Sequence, residues 1–458
     1  MLRPRRKRRP PVLPAHYPIR SRVAFCVVVA LLSTASTVDA RLVVMHGYAD
    51  YTSALVWVQA EAPGPIRIAW RTEQDGLDHE LTLDASTAND DIVLARLTGL
   101  RPGARATYAI DGDGERREGA VRAQPYWTAG ENAPDITIAI GSCFFLAAAE
   151  APWNASTYGG GYEIFDAIAA KAPDVMVWMG DNLYFQPPDE LDPASMAARY
   201  RRQRANPSLQ RLLVAAPQLA IWDDHDYGPN DADMSYGLKG ESLALFSRYW
   251  ANPSYGLPGV PGIFGRARWG DVDLFLLDDR WYRSANKLND APGKTMFGMQ
   301  QLAWLQNALV YSHAPLKLVV NGSQMWNRVD RFEGFNHYSY EQKSFADWLT
   351  AQRVDGVMFA TGDRHFSELL RIDRPGAYPL YEFTSSPLTS RPWENPDNAE
   401  QTNADLVPGT LVGKRQFGLI RLTGPAKARR IALESYDQKG ALLWRHELRA
   451  QDLRSPRR

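Results

Sequence analysis

The first part of the folded sequence, residues 41–127, places apolar and polar side chains in short alternating runs. Residues 54–58 and 65–70 are two such runs, and Gly, Pro and Asp residues separate them. Alternation with a period of two over five or six residues is typical of a half-buried strand. We therefore predict an all-β domain over 41–127. It contains no polar cluster that could carry chemistry, so we expect it to pack or to frame the substrate.

The pattern changes at residue 135, where a longer unit recurs. An apolar run resembling a buried strand stops at a polar corner, as at 136–140, 175–179, 219–222, 272–277, 316–320, 357–360 and 378–383. Helix-period segments lie between these runs, at 162–171, 194–204, 242–250, 299–311 and 340–351. This alternation predicts an α/β domain over 134–450, closed by strands near 418–422, 430–436 and 442–448. Ligands of such domains gather at the carboxyl ends of the strands.

Residues 1–40 have the pattern of a secretory signal peptide. Six of the first nine residues are basic, an apolar run follows at 23–32, and small residues lead to Ala40. The run is too short to cross a bilayer, so the mature chain is expected to carry no transmembrane anchor. A basic tail before a core strand is the alternative. Ser21 separates Arg20 from Arg22, which leaves Tat or Sec export to the periplasm or the extracellular space unresolved.

Charge and cysteine content limit which kinds of ligand and which covalent cross-links the sequence predicts. Fifty-two basic residues balance 52 acidic ones, so the whole chain gives no argument for specific nucleic-acid recognition. Cys26 lies in the leader, which leaves Cys143 as the single cysteine of the mature chain. A lone cysteine of an exported protein forms no internal disulfide, and it is either a buried inert thiol or a reactive one.

The stretch 220–233, AIWDDHDYGPNDAD, concentrates carboxylates around one imidazole. Burying such a cluster is costly unless a cation neutralises it, and hard cations favour carboxylate oxygens, with histidine as the commonest nitrogen ligand. A solvated acidic loop is the alternative interpretation.

Similar polar corners follow the other strands, and the chemistry of all the corners is consistent with a metal centre. Together the corners carry Cys143, Asp181, Tyr184, Asp223, Asp224, His225, Asp278, Arg280, Asn321, Gln324, Asp363 and His365. Thiol, phenol, imidazole and carboxylate donors suit one trivalent metal and a second, oxygen-ligated one, which would clamp an in-line displacement at phosphorus. The guanidinium of Arg280 is suited to holding a phosphate. Neither a G-x-S-x-G elbow nor a P-loop occurs in the sequence.

These motifs together resemble the PhoD-like alkaline phosphatase/phosphodiesterase family of the calcineurin-like metallophosphoesterase superfamily. The resemblance is carried by GSC at 141–143, GDNLY at 180–184, WDDHDYGPND at 222–231, LDDRWYR at 277–283 and GDRH at 362–365. It implies a catalytic domain of two packed β-sheets flanked by helices, an α/β/β/α arrangement. The Leu and Tyr residues of 97–109 resemble those of a fibronectin- or Ig-like sandwich, which would precede it.

The resemblance also implies a role for each matched residue. Fe³⁺ would be bound by Cys143, Tyr184 and His365, with Asp181 bridging to a Ca²⁺ held by Asp224 and Asp363. His225 would protonate the leaving oxygen, and Arg280 would hold the phosphoryl group, so that these two and Asp224 form the catalytic set. Asn182, where the family often has an aromatic residue, and Gln324 are expected to contact the substrate.

The function expected from these features is an exported phosphoesterase that hydrolyses small-molecule, lipid or nucleotide phosphate mono- or diesters by in-line attack of a metal-bound hydroxide. Two alternatives stay open. One is a phospholipase D-type phosphodiesterase, and the other is a catalytically dead scaffold that acts as a surface-binding protein. The aromatic residues Phe185, Tyr236 and Phe297 either bind an organic leaving group or merely pack.

Overall fold

The computed structural model describes residues 41–74, 76–127, 133–147 and 158–456. The predicted signal peptide, residues 1–40, lies outside the described residues, and so does most of the predicted boundary between 127 and 134. These described residues form one compact unit. The division into domains at 41–127 and 134–450 stays a prediction.

Seven antiparallel strands near the N-terminus form two sheets. One sheet has the order β1-β2-β5 and the other the order β4-β3-β6-β7. Their bounds are β1 Leu42–Ala49, β2 Ala54–Ala60, β3 Gly64–Thr72, β4 Asp78–Ala85, β5 Ile92–Leu97, β6 Arg105–Gly112 and β7 Glu115–Arg122, with a 3₁₀ turn at Thr87–Asn89. The predicted all-β sandwich is confirmed. Burial alternates along β3 and β6, as the period of two requires.

β1 and β2 depart from that alternation because almost every residue in them is buried. The face turned away from the sandwich core packs on the following domain: the Trp57 indole donates to the Arg248 carbonyl at 2.8 Å, and the Gln59 amide to the Tyr249 hydroxyl at 3.1 Å. At Gly47 the approach is so close that a Cβ would overlap that of Ala251. The two parts of the chain therefore share one continuous hydrophobic core.

Two six-stranded sheets form the centre of the larger part. The first has the order β10-β9-β8-β17-β18-β19, in which β8 to β10 are parallel and β17 to β19 antiparallel. Its strands are β8 Ile136–Gly141, β9 Val175–Met179, β10 Gln218–Ile221, β17 Gln416–Thr423, β18 Arg430–Asp437 and β19 Leu442–Arg449.

The second sheet has the order β11-β12-β13-β14-β16-β15, with β12, β13, β14 and β16 parallel. Its strands are β11 Gly265–Trp269, β12 Val272–Leu276, β13 Leu316–Asn321, β14 Val357–Thr361, β15 Ser367–Ile372 and β16 Leu380–Ser385. All seven apolar runs predicted from 136 onward are strands, with ends that differ by one or two residues.

The two sheets pack face to face at close range. A Cβ at Gly418 in β17 would lie 2.7 Å from the Phe383 ring of β16, so glycine is required for the sheets to meet there. The Phe383 and Trp444 rings are 4.8 Å apart, and the Trp444 indole donates to the Ser367 hydroxyl at 3.0 Å.

Helices cover the outer faces of both sheets, as the rings of Phe165 and Trp178 (6.0 Å) and of Trp304 and Phe275 (6.5 Å) show. The helices are α1 Ile164–Ala170, α2 Pro193–Arg204, α3 Pro207–Leu213, α4 Asp224–Tyr227, α5 Lys239–Tyr249, α6 Gly298–Tyr311, α7 Ser339–Ala351 and α8 Asn398–Gln401. Three further 3₁₀ turns lie at Asp189–Leu191, Phe335–Tyr338 and Ala450–Leu453. This arrangement confirms the predicted α/β/β/α fold.

Among the residues described, no helix is both long and apolar enough to traverse a bilayer.

Candidate metal centre

Four of the predicted ligands lie at strand ends in a backbone conformation that side chains rarely adopt. The φ angles of Cys143, Asp181, Asp363 and His365 are +59°, +51°, +66° and +55°. The left-handed region costs a non-glycine residue about 1–2 kcal/mol, so the surrounding structure must hold each of them there. Such strained residues concentrate at functional sites. Their common conformation turns the side chains that follow β8, β9 and β14 toward one edge of the sheets.

One cluster of donors forms at this edge, from four different side chains. The thiol of Cys143 lies 3.5 Å from Asp181 Oδ2, and the Tyr184 hydroxyl donates to the same oxygen at 3.1 Å. The Tyr184 hydroxyl also lies 3.3 Å from His365 Nε2. Sulfur, phenol oxygen, carboxylate oxygen and imidazole nitrogen are therefore linked by successive short contacts through Asp181 and Tyr184. This is the donor set predicted to bind Fe³⁺, and we call it the first cluster.

Burial sets the protonation of the first cluster. It raises the pKa of Cys143 to about 11, helped by the charge of Asp363, and raises the pKa of Tyr184 well above its usual value. Burial lowers the pKa of His365, against the opposing effects of Asp363 and of a hydrogen bond to the Arg391 backbone. A cation of high charge would displace the thiol and phenol protons, because both groups ligate as anions.

A second set of donors adjoins the first. One ligand atom each of Asp181, Asp224 and His225 lies within 4.8 Å of the others, and the same holds for Asp223, Asp224 and Glu333. Asp224 accepts a hydrogen bond from the Asp231 backbone at 2.8 Å. Burial alone would raise the pKa of Asp224, but His225, Arg280 and this hydrogen bond hold it below its usual value. A carboxylate kept ionised in a buried site is suited to a hard cation.

Asp181 connects the two sets. Its Oδ2 faces the thiol and the phenol of the first cluster, while its Oδ1 accepts the His225 backbone N–H at 3.2 Å on the side of Asp224. Burial and the neighbouring charges of Asp224 and Cys143 raise the pKa of Asp181. A carboxylate that directs one oxygen to each of two donor sets is arranged as a bridging ligand. The residues present therefore fit a two-metal centre.

Asp363 contributes to the same group of charges from the end of β14. Burial and the charges of Glu333 and Asp224 raise its pKa to about 7. Carboxylates crowded in this way repel one another, and a bound cation would relieve that repulsion. This is consistent with the predicted role of Asp363 beside Asp224.

His225 lies at the mouth of the centre. Its ring is half-buried and stacks on that of Tyr184, with centroids 4.2 Å apart and planes 30° apart. The imidazole is therefore close to the first cluster without being enclosed by it. This position agrees with the predicted transfer of a proton to a leaving oxygen, which stays a prediction.

Arg280 is placed differently from the phosphate clamp that the sequence suggested. Its guanidinium is fully buried and donates to both Asp223 and Glu333, with Nε 2.6 Å from Asp223 Oδ1. Arg283 donates to Glu333 as well, at 2.8 Å. Because carboxylates already occupy its donors and solvent does not reach it, Arg280 orients the Asp223–Asp224 segment in this structure instead of facing a substrate.

The two residues expected to contact substrate also lie in internal networks. The Asn182 amide donates to the Ile221 carbonyl and to Asp226, each at 2.6 Å. The Gln324 amide donates to Glu368 at 2.5 Å and to the Thr384 hydroxyl at 2.8 Å. Both side chains are 2 % exposed. Neither is directed at an open surface, so the geometry gives no support to those two roles.

Sequence reasoning missed several supporting residues. The buried carboxylate of Asp226 accepts the backbone N–H groups of Asp181 (3.2 Å), Asn182 (3.1 Å) and Asp223 (2.7 Å), which fixes the Gly-Asp-Asn turn. The spacing of Asp223 and Asp226 in the one-turn helix α4 is that of a capping box, a signal that could have identified it. Ser386, which donates to the Cys143 thiol at 3.0 Å, carried no comparable signal.

Comparisons with known proteins bear on the family and the fold. The family model described as PhoD-like phosphatase matches residues 257–428. A solved structure of PhoD superposes with a TM-score of 0.71 at 18% sequence identity, covering 89% of this chain and 91% of that one. The purple acid phosphatase PPD1 isolated from yellow lupin (Lupinus luteus) seeds gives a TM-score of 0.59 at 12% identity, covering 90% of this chain and 75% of that one. A search of curated protein sequences found no match.

At these identities the two solved structures establish only the shared fold, whereas the family model is matched by the amino-acid sequence of this chain. Its range includes the LDDRWYR and GDRH motifs, the strands β12 to β16 and the predicted ligands Asp363 and His365. Residues 257–428 therefore match the PhoD-like phosphatases, as the motifs suggested, and the expected metal-dependent phosphoesterase is confirmed.

Proposed function

We propose that this protein hydrolyses phosphate mono- or diesters at a centre of two metals, Fe³⁺ in the first cluster and Ca²⁺ between Asp181, Asp224 and Asp363. The observation that carries the proposal is the position of Asp181, whose two carboxylate oxygens face two different donor sets. A thiolate and a phenolate suit a trivalent iron, and a set of carboxylates suits calcium. When bound, the two ions would supply positive charge to the phosphoryl oxygens and lower the pKa of a water.

The protein's own side chains hold the ligand-bearing turns in place and can protonate the leaving group. Asp226 and the Asp223–Arg280–Glu333 network hold the turns that present Asp181 and Asp224. His225 stacks on Tyr184 at the mouth and can pass a proton to a departing alkoxide or phenoxide. Tyr158 and Phe145 pack around Tyr184 and exclude water from its far side.

Metal analysis with an absorption spectrum of the purified chain is the first test. A visible band from a phenolate or thiolate bound to Fe³⁺, with one iron per chain, is expected for wild type. Tyr184→Phe should remove its phenolate component and Cys143→Ser its thiolate component. A colourless protein that binds zinc alone, yet is active, would refute the assignment of iron to Cys143 and Tyr184. Parallel assays on a phosphate monoester, a simple diester and a phosphatidylcholine vesicle would separate a phosphatase from the phospholipase D-type alternative.

We also infer that the chain is exported, from the basic start, apolar run and small residues of 1–40. Expression of the full chain in a Gram-negative host, followed by N-terminal sequencing of the periplasmic fraction, tests this. A mature chain that begins at Arg41 is the expected result. Full-length protein retained in the cytoplasm would contradict it.

A further inference from the structure

A cavity of about 460 Å³ opens beside His365, outside the two donor sets. Tyr158, His365 and the segment 391–395 line it. Cavities of a few hundred Å³ are the size that binds small organic groups in proteins. This one is next to a predicted metal ligand, yet none of the roles assigned so far uses it.

The cavity adjoins the first cluster, since it shares His365 with the cluster and Tyr158 lies between it and Tyr184. The Tyr158 ring has its centroid 6.3 Å from that of His365 and 6.3 Å from that of Tyr184. On the other wall, the Trp393 backbone N–H donates to the His365 carbonyl at 2.8 Å. An ester substituent of a phosphoryl group bound next to His365 would therefore have this cavity as a neighbour.

One wall of the cavity is a supported aromatic ring. The partly buried indole of Trp393 packs edge-on against Phe332, with centroids 5.6 Å apart, and lies 5.8 Å from Phe366. The Arg331 guanidinium lies 4.9 Å from the centre of the same ring. Three neighbours thus hold the indole in place before a ligand arrives, which reduces the entropy cost of stacking on it.

The charge at the rim argues against a second phosphate in this cavity. Arg391 and Glu394 are both exposed there, and their formal charges cancel. Neither forms a salt bridge with another of the described residues. With no net positive charge, the cavity offers nothing specific to a second anion, whereas Tyr158 and Trp393 offer π-faces to a planar ring.

The other aromatic residues near the centre do not compete for this role. Phe185 and Phe297 are 3 % and 1 % exposed, so they pack in the core, as one of the two sequence interpretations held. Tyr236 is half-buried and donates to the Glu190 carbonyl at 2.9 Å. Tyr158 and Trp393 are thus the aromatic side chains that line the cavity beside His365.

We propose that this cavity binds the planar aromatic group of a phosphoester, an aryl ring or a nucleobase, and that it gives the enzyme a preference for such esters over alkyl ones. The proposal rests on the proposed function, because it names the substrate class of that same site. Trp393 then determines specificity by stacking with the ester group and takes no part in the chemistry at phosphorus.

The test compares kcat/KM for phenyl phosphate with that for methyl phosphate, in wild type and in Trp393→Ala. The intrinsic reactivity of the two esters cancels when their ratio is compared between variants. We expect the ratio to fall about tenfold in Trp393→Ala, the loss of one stacking contact. The control Tyr340→Ala removes an aromatic side chain that is 53% exposed at the start of α7, and should leave the ratio unchanged. An equal loss on both esters, or no loss, would overturn the proposal.

Measuring the affinity for two phosphonates distinguishes a failure of this proposal from a failure of the proposed function. If wild type hydrolyses neither these monoesters nor a phosphate diester, the proposed function fails, and calorimetry with phenylphosphonate and methylphosphonate still tests the cavity in the metal-loaded protein. Tighter binding of phenylphosphonate, lost in Trp393→Ala, is expected, and equal affinities would refute the proposal. If Trp393→Ala does not fold, Trp393→Leu keeps the apolar volume without the π-face and carries the same comparison.

Discussion

At the scale of single residues, Asp181 is the side chain on which both donor sets depend. Its left-handed backbone (φ +51°) and its turn are fixed by Asp226, which accepts three backbone N–H groups around it. Asp226 thus restrains the backbone, while the two carboxylate oxygens of Asp181 face the two donor sets.

Asp181→Asn should therefore abolish activity while preserving the fold. The amide has the same shape, but its NH₂ cannot ligate a cation. We expect kcat/KM on a phosphate ester to fall by more than about a hundredfold, beyond the range for residues that merely support a ligand. Melting temperature without added metal should stay close to that of wild type. The control Asp347→Asn removes the same charge from an exposed pair with Lys343 and should be fully active. A metal-loaded Asp181→Asn variant with wild-type rates would contradict the bridging role.

Arg280 shows the limit of reasoning from residue type. A guanidinium after a strand end suits a phosphate, and nothing in its neighbourhood along the chain predicts Glu333 as a partner. That carboxylate comes from a loop 53 residues away and occupies two of the guanidinium nitrogens. Only the fold could decide between a phosphate and a carboxylate as partner.

At the scale of elements, the strand β1 joins the sandwich to the catalytic part. The structure buries it on both faces, unlike the half-buried strands that alternation predicts elsewhere in 41–127. Gly47 and His46 are both buried in β1, and a substitution at each should change the stability of the protein.

Gly47→Ala should destabilise the protein through overpacking. The added Cβ would overlap that of Ala251 and lie 2.9 Å from that of Leu55. Because strand and loop backbones must shift to make room, we expect the free energy of unfolding to fall by about 1–3 kcal/mol. Gly237→Ala is the matched control, since nothing lies within 4 Å of a Cβ built there. Denaturant unfolding measures both, and equal stability of the two variants would show that β1 does not pack this closely.

His46 should make stability depend on pH. Burial lowers the pKa of its imidazole from 6.5 to about 4, beside the Tyr108 hydroxyl at 2.9 Å. The unfolded chain then binds a proton that the folded chain does not, so stability is full above pH 6.5 and falls as the pH drops toward 4. The shift corresponds to about 3 kcal/mol at most.

Denaturant unfolding between pH 7 and pH 4 measures this effect as a difference between variants. His46→Gln removes the titrating group and should flatten the slope relative to wild type. The control His313→Gln, at an exposed position before β13, should keep the wild-type slope. Parallel slopes for wild type and His46→Gln would count against the burial of a neutral imidazole.

The secondary structure was largely predictable because strand and helix periods are local. The run predicted at 175–179 is β9, and the helix predicted at 299–311 is α6 with one more residue. The strand β15 was missed, since its buried Glu368 breaks the apolar pattern and accepts a hydrogen bond from Gln324, which follows another strand. A local hydrophobic pattern cannot predict the burial of a carboxyl group whose hydrogen-bond partner lies far away in the sequence.

At the scale of the whole molecule, the two sheets bring many acidic groups to one edge. Burial raises the pKa values of Asp181, Asp223 and Asp363, which shows how unfavourable their charges are together. Cations that bind only the folded chain would therefore stabilise it by mass action.

Removing the metal should accordingly lower the stability of the whole protein. At a metal concentration a hundred times Kd, the stabilisation is about 2.7 kcal/mol. We expect a chelator to lower the wild-type melting temperature by several degrees and to leave that of Asp181→Asn almost unchanged. A wild-type melting temperature that is insensitive to verified metal removal would mean that the site is preformed without energetic coupling to folding.

The sequence by itself determined the order of elements and the strand ends that carry the candidate ligands. Apolar runs that end in Gly-Ser-Cys, Gly-Asp-Asn and Gly-Asp-Arg-His placed ligand-bearing corners at strand ends, and parallel strands bring such ends to one edge. Those conclusions need only local periodicity and the chemistry of each side chain.

The tertiary structure alone decided which partners those side chains meet. It paired Arg280 with Glu333, turned Asn182 and Gln324 inward, buried β1 on both faces and set Tyr158 and Trp393 around one cavity. Each of these contacts joins residues far apart in the chain. A local pattern reports which positions avoid water, but the neighbour that satisfies a buried charge or shapes a pocket is set by how the sheets and loops pack.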